Sequence, residues 1–149
     1  MGSQMSRILT IVALLFATPV LAENRPAAVV FEKFLNSFIL ADKDTIVGSF
    51  DDTAQFWGTG SLELVEHKAG IQAYFEDVFS RFPAGRAEAS AVKYSVNELS
   101  SNTAILSGGW LIRDTKEGLI IPLRVSAVMV NAGQGWKIYQ FHNSRFPKQ

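Results

Sequence analysis

Apolar positions between residues 27 and 82 recur at helical steps, and beyond Gly85 they recur at nearly every second position. Val30, Phe31, Phe34, Leu35, Phe38 and Ile39 follow one another at steps of one, three and four, the broad apolar face of an amphipathic helix. Asn24-Arg25-Pro26 reads as its entry, with Asn24 as cap and proline in the first turn, where its missing N–H costs nothing. Asp42-Lys43-Asp44 punctuates the chain and starts a short second helix carrying Ile46, Val47 and Phe50. Residues 53–57 read as a short strand and Gly58-Thr59-Gly60-Ser61 as a loop. A third helix carries Ile71, Tyr74, Phe75, Val78, Phe79 and Phe82, with Glu76 and Asp77 opposite, and Pro83-Ala84-Gly85 ends it. Four strands are then predicted over 86–97, 103–113, 119–130 and 136–143, separated by turn-forming clusters. Helices first and strands second predict an α+β domain, with about three helices packed on one face of a curved, mostly antiparallel sheet.

Hairpin registers turn this outline into a surface. Pairing Arg113 with Leu119 and Val130 with Trp136 across five-residue turns sets Leu106 opposite Ser126, Gly108 opposite Arg124, Ser126 opposite Gln140 and Arg124 opposite His142. Alternation then gathers Leu106, Gly108, Trp110, Arg124, Ser126, Gln140 and His142 on one face, apolar at one end and polar at the other. The opposite face holds Ile105, Leu111, Leu123, Val125, Ala127, Met129, Tyr139 and Phe141. A sheet apolar on both faces needs both covered. Helices cover one, and a second copy of the chain is the economical cover for the other. A homo-oligomer is therefore expected, most simply a twofold dimer, joined through the face that includes Tyr139, Phe141, Val125 and Ala127.

The first 22 residues carry an address. Arg7 precedes an apolar run from Ile8 to Phe16, Pro19 breaks it, and Val20-Leu21-Ala22 supplies small or apolar residues at −3 and −1 of a cleavage site. The run falls short of the ~20 residues of a membrane span. Met1-Gly2-Ser3-Gln4-Met5-Ser6 also fits an acylation pattern, but export by the run that follows is a different fate. A signal peptide over 1–22 is expected, with cleavage after Ala22, a periplasmic or secreted protein, and no membrane association once the leader is gone. The 149 residues less these 22 leave 127, one domain over 23–149.

Charge and cysteine content exclude further classes. With 14 basic and 14 acidic residues, loss of Arg7 leaves the mature chain at −1, without an electrostatic footprint for nucleic acid. The absence of cysteine removes disulfides, thiolate nucleophiles and zinc–thiolate sites. Two histidines far apart, His67 and His142, give no metal spacing, so neither metal nor cofactor is expected. Asp51-Asp52 is explained by turn chemistry, and Gly58-Thr59-Gly60 lacks the lysine of a phosphate loop.

The order helix, short helix, Phe56-Trp57-Gly58-Thr59-Gly60, then Gly70-Ile71-Gln72-Ala73-Tyr74-Phe75, then four strands resembles the nuclear transport factor 2-like superfamily. The ending Gly135-Trp136-Lys137-Ile138-Tyr139-Gln140-Phe141-His142-Asn143-Ser144, with Pro147 after it, is similar to the SnoaL-like branch and to the calcium/calmodulin-dependent protein kinase II association domain. The resemblance spans roughly 27–147, and with the leader it is that of an exported, bacterial-type member. It implies a cone-shaped fold with a pocket between sheet and helices. It does not fix an activity, because such folds host isomerases, cyclases, dehydratases, transport factors and assembly domains. Two departures stand out. Trp57 occupies the place where ketosteroid isomerases carry their catalytic Asp, and Asn143 occupies the place where the association domain carries a pocket Arg. With a leader expected and no kinase domain expected, no role in kinase assembly is expected.

The candidate ligand site follows. Arg124, in the middle of an apolar strand, is either a pocket residue that grips an oxyanion with its forked guanidinium or an edge residue reaching water. His142 is either the acid–base group of the site or a structural histidine. Gln140 stands beside them, and Trp57, Tyr74 and Trp110 are candidate aromatic walls as well as candidate core. The leading expectation is an oligomeric exported protein binding a small, partly apolar ligand through an acidic or carbonyl head. One alternative is a SnoaL-like enzyme with His142 as base and Arg124 steadying an enolate. A second is an assembly module with a filled pocket.

Overall fold

The computed structural model describes residues 26–147; the expected leader and the Asn24 cap lie outside the described residues. Helix α1 spans Pro26–Ile39 and buries Ala27, Phe31, Phe34, Leu35 and Phe38, the stripe that its apolar spacing predicts. Helix α2 spans Lys43–Gly48, and the Asp42 carboxylate caps it by accepting from the Thr45 amide at 3.0 Å. Strand β1 covers Phe50–Trp57, three residues longer at its start than expected. A two-residue strand β2, Val65–Glu66, runs into helix α3, His67–Arg81. Strands β3 (Ala87–Ser100), β4 (Thr103–Asp114), β5 (Ile120–Asn131) and β6 (Trp136–Arg145) complete the elements of the described residues.

The six strands form one sheet in the order β2-β1-β6-β5-β4-β3. β1 runs parallel to β6 and every other neighbouring pair is antiparallel. Bulges in β3 and at the β5–β6 pairing bend the sheet, because an extra residue on one strand increases local twist. Its concave face packs on α1 and α3. Phe34, Phe50, Phe56, Phe75 and Phe141 interlock there with ring centroids 5.1–6.4 Å apart. The fold is the α+β arrangement expected, three helices on a curved and mostly antiparallel sheet.

The two expected registers are corrected. Arg113 pairs with Ile120, not Leu119, so Trp110 faces Leu123 and Gly109 faces Arg124. Asp114 is the cause. It extends β4, its carboxylate accepts from the amides of Lys116 (2.9 Å) and Glu117 (3.2 Å), and its own N–H donates to the Leu119 carbonyl at 2.8 Å. The turn therefore occupies 115–119, one position later than expected. In the last hairpin Asn131 pairs with Trp136, and Tyr139 is then skipped by a bulge, so Val128 faces Gln140, Ser126 faces His142 and Arg124 faces Ser144.

Because side chains alternate, a slip of one residue exchanges the two faces of β5. Leu123, Val125, Ala127, Met129 and Phe141 lie in the buried core beside Leu106 and Trp110. Val125, Ala127 and Phe141 are thus not available to a second copy, contrary to expectation. Arg124, Ser126 and His142 face outward and are exposed. Burying an unpaired guanidinium would cost several kcal/mol, and this register avoids it while enclosing five more apolar side chains.

Two polar ties hold the periphery. Arg86, at the entry to β3, donates to the Asp114 carboxylate at 2.9 Å, and this holds that carboxyl down at about 2. Tyr94 donates its phenol proton to Glu32 at 2.8 Å, joining β3 to α1; burial, and then this bond, push its pKa to about 12.

Candidate functional site

A hollow of about 170 Å³ lies between α3, α1 and the concave face of β4, β5 and β6. The spacing of α3 builds one wall: Tyr74, Phe75, Val78, Arg81 and Phe82 recur at one, three, three and one, so they share a face. Phe34 and Phe38 of α1 close the inner side, and Thr59 and Gly60 of the loop after β1 form part of the rim. On the floor, alternation along β6 presents Phe141, Asn143 and Arg145 in turn, roughly 7 Å per step. Phe141 is buried, Asn143 half-buried and Arg145 exposed, so the hollow grades from apolar interior to basic mouth.

Asn143 organises the polar side. Its Oδ1 accepts from the Trp110 indole Nε1 at 2.9 Å and its Nδ2 donates to the Thr59 hydroxyl oxygen at 2.8 Å. An indole N–H can only donate, so the amide oxygen must face Trp110 and the amide nitrogen must face Thr59. Tyr74 is held opposite. Gly58 makes room for it, since a Cβ there would come within 2.3 Å of the Tyr74 Cζ. Burial raises the Tyr74 phenol pKa, an effect that the nearby loop amides of Gly60 and Thr59 and the charge of Arg81 oppose and the charge of Asp77 reinforces. The phenol is therefore protonated near neutrality and offers a donor. Among the described residues that line the hollow there is no carboxylate, imidazole or amine.

The expected site residues divide. Tyr74 and Trp110 line the hollow; Trp57, Arg124, Gln140 and His142 do not. Trp57 ends β1 with its side chain outward, 38% exposed, beside His142 on the parallel strand β6. Arg124 and His142 do share a face, but it is the outer one, where Arg124 lies over the Phe146 ring at 6.0 Å. His67, with φ of 62°, opens α3 at the surface. The sequence reading missed Thr59, Arg81, Asn143 and Arg145. For Asn143 a signal existed: it follows His142, at the position where the resemblance implies a pocket residue. No group of His, Asp or Glu able to hold a metal ion occurs among the described residues. No helix there is long and apolar enough to cross a membrane.

Comparison with solved structures places this architecture. A candidate calcium/calmodulin-dependent protein kinase II association domain from Xanthomonas campestris is similar at a TM-score of 0.75 and 20% identity, over 89% of this chain and 94% of that one. An NTF2-like protein of unknown function from Pseudomonas putida KT2440 is similar at 0.71 and 14%, over 78% and 82%. A ketosteroid isomerase-like protein from Erwinia carotovora atroseptica is similar at 0.63 and 14%, over 82% and 95%. At these identities the likeness is one of fold. No curated protein sequence matches the chain. Residues 28–149 match the model of the SnoaL-like domain, and the chain belongs to that family.

Proposed function

We propose that the protein is a small-molecule-binding member of its family and that the hollow between α3 and the sheet is the binding site. The family and its fold imply a ligand-binding or isomerase-type domain. One observation favours binding: an aromatic-walled hollow presents several fixed hydrogen-bond donors and, among its described lining residues, no group able to take a proton from carbon near neutrality. The rings of Phe34, Phe38, Phe75 and Trp110 would bury an apolar body, and Thr59, Tyr74 and Asn143 would orient an acceptor head. Proton transfer by His142 and Arg124 has less support, because both side chains lie outside the hollow. The test is an NMR fragment titration that follows the Trp110 indole N–H. Apolar fragments with acceptor heads should shift that resonance and those of Thr59 and Asn143 saturably. Shifts confined to the outer face, or none, would contradict the proposal.

A second reading concerns the outer face. Ile105 pairs directly with Val128 there, and Tyr139, 45% exposed, bulges from the adjacent strand. These side chains form an apolar patch that a second copy of the chain would cover. Sedimentation velocity should give a dimer or larger species that Tyr139→Asp dissociates; a wild-type monomer at micromolar concentration would contradict this. Export through residues 1–22 is proposed on the layout of the leader alone, and the N-terminal residue of protein recovered from its host, Glu23 if cleavage follows Ala22, tests it.

A further inference from the structure

We infer that the head of the ligand is a carboxylate, received at the mouth of the hollow by the hydroxyls of Thr59 and Tyr74 and by the guanidinium of Arg145. The inference rests on the pocket reading above and narrows it from any acceptor head to an anion.

Hydrogen-bond direction supplies the first argument. The chain runs one way, from the Trp110 indole to Asn143 and from Asn143 to Thr59. Thr59 Oγ1 is already an acceptor from Asn143, so its own hydrogen must be directed elsewhere. The Tyr74 hydroxyl lines the same hollow, and its proton has no acceptor among the described residues. Two hydroxyl donors thus share one rim without a partner for either proton.

Charge supplies the second. Arg145 lines the hollow and forms no ion pair among the described residues. It sits two positions beyond Asn143 on the same face of β6, across from Leu123 of β5. Arg81 lines the same hollow from α3 but is paired with Asp77, whose charge offsets its own. Arg145, without an ion pair among the described residues, gives the mouth a positive potential, and low-dielectric aromatic walls focus it. A planar carboxylate offers two oxygens to a forked guanidinium and to both hydroxyls at once. A primary amide of the same shape brings one oxygen, no charge, and an NH2 turned toward other donors.

The volume limits the body. About 170 Å³ of sheltered space accommodates a single ring or a short branched chain. The ligand class is therefore a small arylalkyl or alkyl carboxylate.

The experiment uses the purified chain and matched pairs of carboxylates and their primary amides: phenylacetate, 3-phenylpropionate, cyclohexanecarboxylate, and the straight acids of four to eight carbons. Calorimetry at low and high salt gives the affinities. At least one carboxylate should bind tenfold or more tightly than its amide at low salt, with the ratio falling as salt rises. Arg145→Gln should bring that ratio toward one by weakening the carboxylates far more than the amides, and Arg81→Gln, whose charge Asp77 offsets, should do so much less; both side chains are exposed, so both variants should fold. Equal or tighter binding of the amides would overturn the carboxylate assignment and leave the pocket standing. Failure of every member of both series to bind at millimolar concentration would overturn the pocket reading and this inference together.

Discussion

The indole of Trp110 donates to the amide oxygen of Asn143 at 2.9 Å, across the intervening strand β5. A buried tryptophan thereby obtains the partner that its N–H requires, and a half-buried asparagine is locked in one orientation. The same contact ties the third and fifth strands of the sheet order and sets the direction of the Asn143 and Thr59 donors on the polar side of the hollow.

Asn143→Leu removes that acceptor while keeping the volume. The buried Trp110 N–H then loses its partner, which costs about 1–3 kcal/mol. Urea denaturation should show the loss in the midpoint without a change in slope, and the Trp110 indole N–H should exchange faster with water.

The Asp114 carboxyl sits below its unfolded value because Arg86 bonds to it, with the amides of Glu117 and Lys116 adding to the effect. A depressed acid stabilises the fold in full above its unfolded pKa near 4 and loses that contribution as pH falls through about 2. The melting temperature of the wild type should therefore drop across this window beyond what general acid unfolding produces in Asp114→Asn. The variant should melt several degrees lower at pH 7, and the two proteins should converge near pH 2.

Gly58→Ala places a methyl group against the hydroxyl end of the Tyr74 ring, 2.3 Å from Cζ. Tyr74 must leave its position, and the strain should destabilise the protein by about 1–3 kcal/mol. Tyr74→Ala removes the obstruction, so the double variant should be more stable than the two single losses predict. A cycle of four melting curves measures this coupling.

Arg124→Ala and His142→Ala act on exposed outer-face side chains and should change the stability of the chain by no more than about 0.5 kcal/mol. Phe141→Ala, one residue away on the inner face, should cost about 3–5 kcal/mol. Chemical denaturation of the three variants measures which way β6 faces.

Most of the fold was legible because burial imposes its period on the sequence. The stripe from Phe31 to Phe38 and the repeat from Ile71 to Phe82 could serve only as helix faces, and the alternating segments after Gly85 only as strands. β2 was not legible, since two residues carry no period. The site was legible only in its aromatic walls, Tyr74 and Trp110. Its polar half depends on parity, and parity was set by two local events that hydrophobic pattern does not encode. Asp114 uses its carboxylate to lengthen β4 by one residue, and Tyr139 bulges out of β6. Each event is worth one residue; the first turns Arg124 out to solvent, and the second offsets the one-residue shift of the Asn131–Trp136 pairing, so that β6 turns with β5 and brings Asn143 and Arg145 in.

The most direct test of this account is a nuclear Overhauser spectrum of the labelled protein, read at the Trp110 indole proton. The account predicts cross-peaks to the side-chain amide protons of Asn143 and none to the imidazole protons of His142. Cross-peaks to His142 in place of Asn143 would contradict it, because they would restore the opposite register and remove the donors from the hollow.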